Sequence, residues 1–149
     1  MTDLLLALAH HFLAFSLAAL LAAEASILQP GLAGARLRLV AALDAFYGGF
    51  AGLIVVVGVG RVIFGIHGPE AFLSNPWFWA KMACFAIVGA LSVPPTLRFL
   101  AWRRRLKADQ AFVVPEKEAL AVRRYLLAEI GFFALIPLFA AAMVRVPYL

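Results

Sequence analysis

Four long apolar runs, at residues 4–28, 37–64, 77–102 and 124–146, constrain this chain more than any motif in it. Each has the roughly 20 residues that a helix needs to cross the hydrocarbon core of a bilayer. Of the 149 residues, 65% are hydrophobic and 14% charged, against about 45–50% and about 25% in a soluble domain. Such a chain cannot supply the polar surface of a water-soluble fold. Once the four runs are set aside, short connections are left, with no room for a nucleotide-binding domain or an extramembrane catalytic module. The predicted architecture is all-α: an integral membrane four-helix bundle of up-down topology, forming a single membrane domain over residues 1–149.

The breaks between runs have local causes. Gln29-Pro30-Gly31 stops the first helix, and Asn75-Pro76 opens the third with proline at a first helical position. Inside the third run, Pro94 and Pro95 remove backbone donors, which predicts a kink near Ser92, with Ser92 or Thr96 serving the freed carbonyls. A polar loop is expected from Arg103 to about Arg123. Gly48 and Gly52 have the small-xxx-small spacing that lets helices approach closely, and they are the expected face for packing or for a homo-oligomer. The first run begins with Asp3 and little basic charge, so it is expected to be a retained helix rather than a cleaved leader.

The net charge is +5, yet seven of the 13 Lys and Arg residues lie between Arg103 and Arg124, beside apolar spans. They read as a signal of membrane topology facing anionic lipid headgroups, and nucleic acid is not an expected partner. The first and third connections are basic and the second is not. The positive-inside rule therefore places the first and third on the cytoplasmic side of a bacterial inner membrane, with both termini outside. The one cysteine, Cys84, sits in an apolar run and cannot form a disulfide within the chain.

An ionisable residue inside a span is costly and marks a candidate site. By depth these residues fall into two layers. Near the outer ends lie His10, His11, Arg61, Lys81 and Arg145, a basic layer with no acidic partner inside a span. Near the inner ends lie Glu24, Asp44, Arg98 and Glu129, for which structural charge pairing with Arg98 is the expected arrangement. A path for protons or cations along Glu24, Asp44 and Glu129 is the competing reading. The outer layer calls for an anion, which could be Glu70 of the loop, lipid phosphate or a bound ligand that carries carboxylates. A haem or porphyrin suits it: its ring fills a bundle core, imidazole ligates iron, and propionates seek Arg or Lys. His10 and His11 point about 100° apart on a helix, so one of them faces the bundle. His67 is the third histidine, in the outer loop, and Met82, Met143 or Lys81 are the other candidate axial ligands. Without a metal, the same histidines would hydrogen-bond across helices.

The stretch NPWFWAKMACFAIVGALSVPPTLRFLAWRR at 75–104, with AHHFLAF at 9–15 and LIPLFAAAMVR at 135–145, resembles a bacterial family of small four-helix membrane proteins. That family is catalogued as a domain of unknown function, number 2214. More distantly, a histidine in span one, a Trp-x-x-x-Lys opening span three, and an Arg and a Glu opening span four are similar to the HemJ-type protoporphyrinogen oxidases. Here these positions are His10 or His11, Trp77 and Lys81, and Arg124 and Glu129. The resemblance implies iron ligation by histidine, contact of Lys81 with carboxylates of substrate or haem, and haem b as cofactor. The expected function is a haem b-binding membrane protein with a redox or porphyrin-handling role. Its enzymatic form is an oxidoreductase passing electrons to quinone, in which Lys81 and Arg61 hold carboxylates and Arg145 and Trp77 complete the cofactor site. The alternative is an oligomer that translocates protons, ions or a small solute.

Overall fold

Backbone amides within a bilayer find no water, so each apolar run must satisfy its hydrogen bonds internally, and it does so as helix. The computed structural model describes residues 1–65 and 68–145. The described elements are α1 (Thr2–Ile27), α2 (Gly34–Phe64), α3 (Gly68–Leu73), α4 (Pro76–Ala108) and α5 (Glu116–Arg145). Helices α1, α2, α4 and α5 are long and apolar enough to cross a membrane, and the protein is an all-α membrane protein. The short α3 was not foreseen. It lies within the α2–α4 connection and ends where Trp79 Nε1 donates to the Leu73 carbonyl at 2.9 Å.

The spans pack in the cyclic order α1–α2–α4–α5. Two hairpins, α1–α2 and α4–α5, are tightly packed internally and lie more loosely against each other. Large side chains without solvent access, including Leu17, Leu21, Phe99, Trp102 and Leu126, fill the centre. Many apolar side chains remain on the outside, among them Phe12, Phe15, Phe46 and Leu97, as lipid-facing positions require. Gly48, Gly49 and Gly52 also lie outward, with nothing near the position of an added Cβ. The close approach to α1 is made instead by Gly58 and Gly60, against His10 and Leu6. The Gly48/Gly52 face therefore takes no part in packing within the bundle.

Two boundaries differ from the sequence reading. Helix α4 continues to Ala108 and α5 begins at Glu116, so the expected loop from Arg103 to Arg123 shrinks to residues 109–115. Lys, Arg and Glu are good helix formers, and a helix need not stop where the bilayer does. At 33 residues α4 is ~50 Å long, well beyond a hydrocarbon core of about 30 Å. The extension is stapled: Trp102 Nε1 donates to Glu118 Oε2 at 2.7 Å, and Arg98 and Arg105 pair with the same carboxylate at 3.7 and 3.8 Å. Pro94 and Pro95 do not interrupt α4. Ser92 Oγ donates to the Gly89 carbonyl at 2.8 Å, one residue short of the carbonyls the prolines free, while Thr96 turns to Asp44.

The helix ends are held individually. Gly31 takes a φ of 81° in the turn after α1, a conformation open to glycine at little cost. Asn75 accepts from the Trp77 amide at 3.0 Å as the N-cap of α4, and its own amide donates to the Met143 carbonyl at 3.0 Å. Arg123 donates to the carbonyls of Ala25 and Leu28 at 3.2 and 3.1 Å, closing the last turn of α1. At the same end of the bundle, Val114 N donates to Leu32 O at 2.9 Å. This joins the α1–α2 and α4–α5 turns over a plug of Leu28, Leu32, Leu37, Trp102, Leu106 and Val114.

Candidate functional site

The opposite end of the bundle is hollow. A cavity of about 430 Å³ is lined by α1, α2, α3, α4 and α5, mostly with apolar side chains, and His10, Arg61 and Lys81 bring charge or an imidazole to it. His10 lies inside the bundle because α2 carries no side chain at Gly58, where an added Cβ would meet the imidazole Cε1 at 3.5 Å. Its Nδ1 is buried and has no hydrogen-bond partner among the described residues, and the same holds for Arg61 Nε. Lys81 Nζ stands 5.1 Å from the centre of the Phe78 ring, a cation–π contact. Arg61 and Lys81 both lie within electrostatic range of His10. Neither forms an ion pair among the described residues, and the Asp3 carboxylate stands one turn on, against Gly65 at the end of α2.

The lining residues Val55, Val59 and Ile63 of α2 and Trp79 and Met82 of α4 are exposed on the flank of the molecule. The cavity thus opens sideways, between the two hairpins, toward lipid. Met82 and Met143 are among its walls. The chemistry this arrangement offers is that of a dry, apolar slot with one imidazole, two thioethers and two cations, which can hold a flat or long apolar body with an acidic end.

Three residues expected at this site stand elsewhere. His11 is exposed, with Nδ1 2.7 Å from the Ala7 carbonyl, one turn back in α1. Trp77 stacks on Phe139 with ring centroids 6.1 Å apart and is absent from the wall, where Trp79 takes its place. Arg145 is exposed at the end of α5 and does not line the cavity. His67 lies outside the described residues.

The inner layer is also partly rearranged. Glu24, Asp44 and Glu129 are 1%, 6% and 1% exposed, and Glu24 is within electrostatic range of the other two. Arg98 does not join them. It pairs with Glu118 on the exposed side of α4, because its position on the helix points it away from the centre. The partners of the carboxyls are neutral: Tyr47 Oη donates to Glu129 Oε1 at 2.6 Å, and Thr96 Oγ1 donates to Asp44 Oδ1 at 2.7 Å. Tyr47 and Thr96 were missed as members of this cluster. A signal was present for Tyr47, which follows Asp44 by three residues and so shares its helix face. Thr96, expected to serve the carbonyls freed by Pro94 and Pro95, has its hydroxyl on Asp44 instead. Gly58 was missed too, since nothing in a glycine-rich span tells which glycine meets an imidazole.

Four membrane-spanning helices enclosing a cationic cavity at one end and a carboxyl cluster at the other define a class of small polytopic membrane protein with a ligand-sized internal site. Within that class, the chain belongs to the family described as Predicted membrane protein (DUF2214), whose model matches residues 2–146. No curated protein and no solved structure matches the chain.

Proposed function

We propose that this is a bacterial inner-membrane protein that holds an anionic planar cofactor, haem b, in the outer cavity and serves a redox or porphyrin-handling role. The observation that carries the reading is the convergence of His10, Arg61 and Lys81, with no ion-pair partner among the described residues, on one apolar cavity. The residues present fit such a group. His10, packed against Gly58, would supply the imidazole to the iron. Met82, Met143 or Lys81 would be a further donor. Arg61 and Lys81 suit the propionates by charge-assisted hydrogen bonds. Haem b, when bound, supplies one-electron chemistry. The surrounding residues exclude water and fix orientation, and the sideways opening gives a quinone or a porphyrin access from the bilayer. The basic loop-paired end, with Arg36, Arg38 and the Arg103–Arg105 run, faces the cytoplasm in this reading, leaving both termini outside.

An absorbance spectrum of the detergent-purified protein, oxidised and dithionite-reduced, from cells supplied with a haem precursor, tests the proposal. A stoichiometric Soret band is expected in the native protein and in His11→Ala, and its loss in His10→Ala. A colourless protein that stays colourless after haemin is added overturns the haem assignment and leaves the cavity to an anionic lipid.

A further inference from the structure

The carboxyl cluster takes no part in the outer site. Fourteen positions separate Glu24 from His10 along α1, ~21 Å of helix, and Leu13, Leu17 and Leu21 are buried along α1 between them. We infer that Glu24, Asp44 and Glu129 form an enclosed proton-binding site, built by all four spans and shielded from water at both ends.

The argument is one of counter-charge. Each span contributes a group: Glu24 from α1, Asp44 and Tyr47 from α2, Thr96 from α4 and Glu129 from α5. Glu24 Oε1 and Glu129 Oε2 are fully buried and have no partner among the described residues. A buried carboxylate oxygen without a donor is costly as an anion and is relieved by a proton on the carboxyl. None of the three carboxyls forms an ion pair among the described residues; at this end Arg98 and Arg105 pair with Glu118, Arg123 donates to the carbonyls of Ala25 and Leu28, Arg36 to that of Ile27 at 3.4 Å, and Arg38 and Arg124 are exposed. Three carboxylates without a cation are strongly disfavoured within a low-dielectric span. The neutralising species must therefore be bound. Among the described residues no group of three or more His, Cys, Asp or Glu is arranged to hold a metal ion, and a proton needs no coordination shell. Protons borne by the individual carboxyls also suit the geometry that is present, since Tyr47 and Thr96 donate to one oxygen each of Glu129 and Asp44 and leave a second oxygen for the proton. The apolar plug under the paired turns makes exchange with water depend on opening of that end.

Infrared spectroscopy of the full-length protein in lipid nanodiscs, in sodium-free buffer at neutral pH, tests this. A protonated-carboxyl stretching band is expected, shifting slowly on transfer to deuterium oxide and losing part of its intensity in Glu24→Gln and again in Glu129→Gln. Glutamine mimics the neutral acid, so both variants are expected to fold. If one variant does not fold, the loss of intensity in the other and in Asp44→Asn carries the assignment. Absence of the band, with thermal stability rising instead on addition of sodium, overturns the inference in favour of a bound cation. A band of full intensity in folded Glu24→Gln and Glu129→Gln overturns it as well, by placing the protons elsewhere. Neither result bears on haem, which is read by the visible spectrum.

Discussion

His10 and His11 show how much a single side chain depends on what faces it. Adjacent residues of one helix cannot both enter a bundle, and the sequence offered no means of choosing between them. The choice is made across the interface, by Gly58, whose missing side chain leaves the space that the imidazole fills. An alanine Cβ at 3.5 Å is an ordinary contact, so Gly58→Ala is expected to keep both fold and ligand. Gly58→Val places further methyl groups where the ring lies. Overpacking of this kind costs about 1–3 kcal/mol, so chemical unfolding should show that loss, and haemin titration should show weaker binding than in Gly58→Ala. Equal haemin affinity in the two variants would detach His10 from the ligand. The residues readable in advance were those whose presence in a span is costly: His10, Arg61, Lys81, Glu24, Asp44 and Glu129. Their depths followed from counting along the chain, but their directions did not. Hence Trp77 and Trp79 exchange roles, and Arg98 meets Glu118 outside the bundle instead of the carboxyls within it.

Helices were legible as elements because apolar length alone demands them in a bilayer. Their ends were not, since the hydropathy pattern marks the membrane boundary and not the end of the hydrogen-bonded backbone. The α4 and α5 extensions rest on contacts such as Trp102 to Glu118 that link positions 16 residues apart. The α1 terminus depends on a partner far along the chain, as Arg123 donates to two carbonyls that have no acceptor role within the helix. Removing the guanidinium leaves those carbonyls at a partly buried end. Arg123→Gln is expected to cost about 2 kcal/mol, measured by unfolding in mixed micelles. An unchanged transition would show that water replaces the guanidinium without loss.

At the scale of the whole molecule, the protein is two hairpins of unequal function at their two ends. One end is joined across its turns, basic outside and plugged by apolar side chains. The other is hollow and open at its side. The distribution of Lys and Arg sets the expected orientation, which a labelling experiment can read. In a Cys84→Ser background, Thr2→Cys should react with an impermeant maleimide added to intact cells. Val113→Cys, exposed in the paired turns, should react only after the membrane is opened. The reverse pattern would invert the molecule. The sideways opening has a further consequence, which concerns supply. The mouth of the cavity lies in one leaflet, and the plugged end closes the molecule toward the other. If the cavity holds the ligand proposed above, that ligand reaches His10 after dissolving in that leaflet, and its occupancy is governed by its surface density there and not by its concentration in water. An enzyme or lipid flippase that changed the composition of one leaflet would thus load or empty this protein without ever touching it.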